Sequence, residues 1–250
     1  MSGHSKWSTI KRQKGAADAK RGTLFTKLSK EIEAAARSGD PDPEMNFKLR
    51  LAVQKARDSN MPVENIERAI KRASGALGGA QPVEHHYEGY GPGGIAILLE
   101  VLTDNKNRTT AEVRNVFSRG GGNLGENGCV TWIFQPKGVI TVKASGNADD
   151  LALLAIDAGA EDVKEDGDTL EIQTIPEQLE AVRKKMEAQK IKIASAELTR
   201  APQNVVALNK KDAIQALKLM DRLEELDEVQ RVYTNADFPD EAIAEYSSQG

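Results

Sequence analysis

The sequence predicts an α+β multidomain protein: an N-terminal three-helix domain with a basic arm, followed by two ferredoxin-like-type α+β domains, one inserted into the other. Three observations predict it. Apolar residues recur at helical spacing from Leu24 to Ala73. Past the Gly-, Ala- and Gln-rich stretch from Gly75 to Pro82 the pattern changes, and Ile95 to Leu102 is an almost continuous apolar run, as in a strand covered on both faces. Residues 138–201 then read strand, helix, strand, strand, helix, strand, the split β-α-β order, with further strand and helix signals on either side of them.

The elements follow in chain order. Leu24, Leu28 and Ile32 line one helix face; Phe47, Leu51 and Ala52 line a second; Ile66, Ala69, Ile70 and Ala73 line a third. Ser38-Gly39-Asp40-Pro41 closes the first helix, Asn60-Met61-Pro62 opens the third, and Ser74-Gly75 ends it. With the arm these make a domain of residues 1–80. After the strand at 95–102, Val113, Val116 and Phe117 mark a helix that stops at Gly120-Gly121-Gly122, where glycine adopts left-handed backbone cheaply. In the inserted segment, Val139–Val142 is a strand. Leu151, Leu154, Ala155 and Ala158 form a helix stopped by Gly159, and Val163 pairs with Leu170 and Ile172 around Asp166-Gly167-Asp168. Thr174 with Glu177 is a capping-box signature for a helix bearing Leu179, Val182 and Met186, and Ile191 with Ile193 begins a last strand. Val205–Leu208, a helix through Ile214, Leu217 and Leu223, and Val229–Tyr233 complete the interrupted domain. Its expected bounds are 81–135 and 204–238, with 136–203 inserted and 239–250 a C-terminal tail.

Charge is distributed unevenly. The chain carries a net −4, yet residues 1–72 hold 16 cations against 9 acids, and residues 73–250 hold 18 against 29. Between Lys6 and Lys30 eight basic side chains face one acid, Asp18, which points to a polyanion as partner. About five arm contacts to single-stranded RNA would give a log–log salt slope near −3.5, and on duplex DNA near −4.5. Trp7 among these cations offers a face for an unpaired base; the alternative is that it packs on the helices while the cations form a solvated face.

Other chemistries find little support. No run approaches the roughly 18 apolar residues of a membrane helix, and Ser2–Trp7 lacks the apolar core of a secretory signal, so the expected compartment is the cytoplasm. The single cysteine, Cys129, makes no disulfide framework. His85 and His86 are adjacent, so on a strand they would point to opposite faces, and His4 is distant, so no metal or other cofactor is expected. The glycine-rich Gly91–Gly94 and Gly120–Gly125 segments lack the phosphate-loop ending and read as turns, with Arg108, Arg114 and Arg119 near them in sequence. No serine, cysteine or histidine arrangement suggests a nucleophile with its base, and the paired carboxylates fall at helix starts and turns.

Gly3-His4-Ser5-Lys6-Trp7, Asp18-Ala19-Lys20-Arg21-Gly22, Asn60-Met61-Pro62, Asn65–Ile70, Tyr87–Gly94 and Leu102–Thr109 resemble, in this order, motifs of the YebC family, which includes the mitochondrial translational activator of cytochrome c oxidase subunit I. Cys129 stands where the resemblance leads one to expect serine in many relatives. The resemblance runs to about residue 238 and implies a three-domain protein of gene expression, with the third domain inserted in the second. Bacterial members carry the label of transcriptional regulator, and organellar and some bacterial members look like ribosome-associated factors. The expectation is therefore a non-catalytic nucleic-acid-binding regulator, ribosome-associated through rRNA, with DNA-bound transcriptional control as the alternative and a protein scaffold or a nucleotide- or RNA-processing enzyme behind both. Its contact residues are expected to be His4, Lys6, Trp7, Lys11, Arg12, Lys14, Lys20, Arg21, Lys27, Arg108 and Arg114. The acidic domains would face ribosomal proteins with basic tails, or hold the body of the molecule off the RNA.

Overall fold

Leu28 and Ile32, one helical turn apart, are both buried, and around them three helices close: α1 (Asp18–Arg37), α2 (Phe47–Asp58) and α3 (Val63–Ala73). This computed structural model describes residues 18–73, 82–144, 148–166 and 169–248. Leu24 is partly exposed and Phe25 packs on the helical core in its place. Asn46 caps α2: its Oδ1 accepts from Leu49 N at 3.1 Å, while its Nδ2 donates to the carbonyls of Ala35 (2.9 Å) and Asp40 (2.8 Å). One buried amide thus satisfies the end of α1, the loop and the start of α2. Asn46→Ala is expected to lower stability by about 2 kcal/mol in denaturant unfolding, and Asn46→Asp, which keeps the cap and loses both donors, by an intermediate amount.

The chain forms two compact units, one running to Phe134 and resuming at Pro202, the other Gln135–Ala201. In the first, β1 (Val83–Tyr90) pairs antiparallel with β2 (Ala96–Thr103), which pairs antiparallel with β9 (Val229–Thr234); the short β3 (Asn123–Leu124) continues the sheet in the order β3-β1-β2-β9. Ile97, Leu99 and Val101 point to one face, where α4 (Lys106–Arg119), α7 (Lys210–Glu224) and α8 (Asp240–Ser248) supply Val113, Phe117, Leu217, Met220 and Tyr246. Ala96 and Leu98 point to the other face, with Val130, Ile133, Phe134 and Tyr233. Helix α1 touches β2 and β9. There Glu31 accepts from Lys55 (2.7 Å) and meets Arg231 (3.5 Å), joining the helices to the sheet. Burial raises the Glu31 carboxyl, and the Lys55 and Arg231 charges more than offset it, leaving it below its ordinary value.

In the second unit, β4 (Phe134–Lys143), which begins at the boundary, is followed by α5 (Ala148–Ala158), β5 (Asp162–Asp166), β6 (Thr169–Thr174), α6 (Leu179–Ala188) and β7 (Ile193–Pro202) in the sheet order β5-β6-β4-β7. That order is the ferredoxin-like arrangement, and Ile140, Val142, Leu170, Ile172, Leu179, Val182 and Met186 are buried in it.

Three expectations are corrected. Thr174 does not cap a helix: it ends β6 opposite Gly138, fully buried, and α6 starts only after a 3-10 turn at Pro176–Gln178. A Cβ on Gly138 would lie 2.4 Å from Thr174 Oγ1, so this threonine serves a close strand contact. Val205–Leu208 shrinks to the two-residue β8 (Val206–Ala207), which pairs parallel with β10 (Ala236–Asp237) and stays out of the main sheet. Residues 240–248 are no tail: they form α8, held by buried Ala242 and Tyr246, whose hydroxyl donates to Asp221 Oδ2. Among the described residues no helix is long and apolar enough to cross a membrane.

Candidate nucleic-acid interface

Helices α4 and α7 lie over one sheet face, each with an apolar side inward. On α7 the buried positions are Ala213, Ala216, Leu217, Leu219, Met220 and Leu223. The opposite side carries Lys211, Gln215, Lys218 and Arg222, spaced four, three and four residues apart and all exposed. At 1.5 Å per residue this stripe is about 16 Å long. Lys211, Lys218 and Arg222 have no ion pair or hydrogen bond among the described residues. Gln215 Nε2 donates to the Gly120 carbonyl at 3.2 Å, which joins the stripe to the end of α4, where Arg119 is exposed and equally unpaired among the described residues. Four unpaired cations on one helical layer of a net-acidic protein form a surface suited to phosphate.

The residues expected from sequence fall elsewhere. His4, Lys6, Trp7, Lys11, Arg12 and Lys14 lie outside the described residues, and only the backbone of Lys20 and Arg21 lies within them, in the first turn of α1. Lys27 Nζ donates to the Glu224 carbonyl, and its neighbour Lys30 donates to the Asp227 carbonyl at 3.2 Å and meets Glu228 at 4.0 Å. Arg108 pairs with Asp104 (3.3 Å) and Glu228 (2.9 Å). Lys27 and Arg108 thus converge on the turn between α7 and β9, where they fasten α1 and α4 within the chain. Arg114 is exposed on α4, with no partner among the described residues. The α7 stripe was within reach of sequence reasoning, since cations at i, i+7 and i+11 opposite an apolar face were present; the concentration of charge in the arm outweighed it.

The glycine-rich segments meet at the other end of the same sheet. Gly91–Gly94 turns β1 into β2, with Gly93 at φ 72°. Gly120–Gly122 leads from α4 into β3, with Gly121 at φ 78°. Glu88, buried on β1, accepts through Oε1 from Gly128 N (2.7 Å) and through Oε2 from Val130 N and Thr131 N (both 2.8 Å). Burial raises this carboxyl, and the hydrogen bonds from Gly128, Val130 and Thr131 outweigh it, holding the group below its ordinary range. It therefore stays ionised and shapes the loop 126–131. Cys129 on that loop has its thiol pushed up by burial and by the Glu88 charge, which keeps it protonated and unsuited to nucleophilic attack.

Beside the loop a cleft of about 320 Å³ is lined by residues including His85, His86, Lys106 and Asn127. Burial, Lys106 and His86 together push the His85 imidazole down. No group of three or more His, Cys, Asp or Glu that could hold a metal ion occurs among the described residues.

Comparison with known proteins agrees with this architecture. The family model described as the TACO1/YebC protein N-terminal domain matches residues 5–76, and that of the TACO1/YebC second and third domain matches residues 82–236. The chain is 56% identical over 250 residues, all of both chains, to "Probable transcriptional regulatory protein cbdbA400" of Dehalococcoides mccartyi strain CBDB1. It is 55% identical over 243 residues to a "Probable transcriptional regulatory protein" of Moorella thermoacetica, covering 96% of each chain. Among solved structures it superposes on the conserved hypothetical protein Aq1575 of Aquifex aeolicus with a TM-score of 0.82 and 46% identity, covering 89% of this chain and 92% of that one. Fold, domain order and sequence together place the chain in the TACO1/YebC family.

Proposed function

We propose that this protein is a non-catalytic, cytoplasmic regulator of gene expression that binds nucleic acid, and that it acts in translation by docking on ribosomal RNA. The observation that carries the reading is the stripe of Lys211, Lys218 and Arg222 with Arg119, exposed and unpaired among the described residues on a net-acidic body. The arm expected from sequence, with His4, Lys6, Trp7, Lys11, Arg12, Lys14, Lys20 and Arg21, supplies a second anchor, and Arg114 adds a contact on α4. Cationic surfaces of this kind follow a phosphate backbone without reading bases, as in recognition of folded RNA. Residues 148–168 hold eight acids against Lys164, and α5 exposes Leu153, Leu154 and Ile156 between its aspartates, which suits basic segments of ribosomal proteins.

A second reading, DNA-bound transcriptional control, is favoured by the names of the relatives and by the short turn Ser59–Pro62 between α2 and α3, the spacing of a helix-turn-helix. Against it, the first two turns of α3 expose two acids, Glu64 and Glu67, beside one cation, Arg68, a balance that gives phosphate no net attraction where a recognition helix enters the groove.

Cosedimentation with ribosomes and salt-titrated binding to single-stranded RNA test the proposal. The intact chain is expected to pellet with ribosomes in moderate salt. Deleting residues 2–22, or reversing Lys211, Lys218 and Arg222 to glutamate, should each weaken this, the second lowering the log–log salt slope by about 2. Equal pelleting of both variants and the intact chain would overturn the reading, and selective recovery of promoter DNA would favour the second one.

A further inference from the structure

Strand β1 is paired with β2 along its whole length and with β3 at only two residues, Gly89 and Tyr90. One more bond follows, from Gly125 N to the Glu88 carbonyl at 2.7 Å, and there the chain of β3 leaves the sheet. The Glu88 carbonyl therefore points away from β2. Hydrogen-bonding direction alternates along an antiparallel strand, so the N–H and C=O groups of Glu84 and His86 point the same way, and nothing among the described residues pairs with them. Free edges of this kind template the addition of another chain, and proteins blunt them with charge. Strand β5, an outer strand of the second unit, is blunted by Asp162, Lys164, Glu165 and Asp166. From Val83 to Tyr87 the edge of β1 carries one such residue, Glu84.

This open edge faces the cleft of about 320 Å³. Residues 84–88 all line it, and successive side chains of a strand take opposite faces, so a cleft that touches all five runs along the edge rather than over one face. Lys106, at the start of α4, walls the cleft on the side of Tyr87, whose hydroxyl donates to the Lys106 carbonyl at 3.3 Å. The Lys106 ammonium is exposed and has no partner among the described residues. Asn127 and Thr131 wall the other side, on the loop that the Glu88 carboxylate holds through Gly128 N and Thr131 N. On that side His86 Nε2 is buried without a hydrogen-bond partner and meets Glu84 Oε1 at 3.7 Å.

We propose that this cleft receives an extended segment of a partner polypeptide, added to β1 as a strand with an acidic side chain toward Lys106. The inference is independent of the nucleic-acid reading above. The edge itself selects the occupant, because another backbone is what offers N–H and C=O groups at the repeat of a strand, and β3 already uses the same edge at Gly89 and Tyr90. Side chains of an added strand alternate between the two walls. One set meets the Lys106 ammonium, which calls for a carboxylate, and the other reaches His86 Nε2, which calls for a polar group. Walls on both faces suit a single free strand and not the edge of a second folded copy.

The test uses the full chain as bait for phage-displayed random heptapeptides. The most enriched peptide is synthesised unmodified, N-methylated at odd positions and N-methylated at even positions. Enriched sequences should carry acids at alternate positions. One methylated form should bind about 5- to 150-fold more weakly, since its amides face β1, while the other keeps its affinity. Hydrogen exchange read by NMR should show the Glu84 and His86 amides newly protected in the complex. His86→Pro removes one outward N–H and no bond to β2, and should abolish binding. Lys106→Glu, at an exposed side chain, should weaken it about two- to tenfold. Circular dichroism checks the fold of both variants, and should His86→Pro misfold, Lys106→Glu and the methylated peptides decide. Absence of any enriched peptide, equal binding of the two methylated forms, or protection elsewhere than at Glu84 and His86 overturns the proposal. Self-association of the free chain that protects these same two amides would overturn a partner segment as the occupant.

Discussion

Replacing Phe117 with alanine is expected to destabilise the protein by about 3–5 kcal/mol. Phe117 is fully buried at the centre of the larger core, between the sheet and α7. The glycines around it explain why the cavity would not close. A Cβ on Gly89 would lie 2.8 Å from the Phe117 ring and 2.5 Å from the Asn123 carbonyl, and one on Gly122 3.1 Å from the ring, so backbone already approaches as closely as it can. Deleting the ring leaves a void lined by main chain in strands and turns, which relaxes little. Chemical denaturation should show a lower midpoint with an unchanged slope, and the region around β3 should lose hydrogen-exchange protection first. Phe117→Leu, which refills most of the volume, should recover more than half of the loss.

Removing the Glu88 carboxylate is expected to cost about 2–4 kcal/mol, because Gly128, Val130 and Thr131 would be left with N–H groups lacking their acceptor, that of Val130 in a buried position beneath the surface loop. Glu88→Ala should therefore loosen the segment from Glu126 to Trp132, and with it the Tyr90 hydroxyl and Trp132 indole that donate to the Cys129 carbonyl. The pH dependence has a definite sign. The folded carboxyl lies below its ordinary value of 4.5, so its contribution to stability is complete above about that pH and is lost as the pH falls through the lower folded value. Glu88→Gln carries no such linkage. The stability gap between wild type and Glu88→Gln should be constant near neutrality and narrow below about pH 4.5. A gap that stayed constant throughout the acid range would show that the carboxylate's charge is not what organises the loop.

Most helices and the central strands were legible from periodicity, because an apolar face buried against one partner leaves a repeat in the chain. The stretches at 95–102, 108–119 and 214–223, and the hairpin around Asp166, correspond to β2, α4, α7 and β5–β6. Strand β1 was not legible as a strand. Val-Glu-His-His-Tyr-Glu-Gly-Tyr is polar, and it is central because Tyr87 hydrogen-bonds Thr110 (2.8 Å) on one side while Glu88 takes three amides on the other. Helix α8 left too short an apolar pattern, since Ala242 and Tyr246 suffice to hold it. The capping-box pattern at Thr174 misled because a local motif says nothing of a strand packing against Gly138.

For the candidate site, chain composition identified a cationic surface as the feature of interest, since charge can be counted without knowing where it lies. It could not say which cations are free. Lys27 and Arg108 are as basic in the sequence as Lys211 and Arg222, but folding spends the first pair on carbonyls and carboxylates of the turn after α7 and leaves the second pair to solvent. Trp132 and Tyr90 are likewise two aromatics 42 positions apart until β1 and the Glu88-bound loop bring both to one carbonyl oxygen. Net charge and periodicity are properties of neighbours along the chain; pairing, exposure and convergence depend on neighbours in space, and these only the tertiary structure decides.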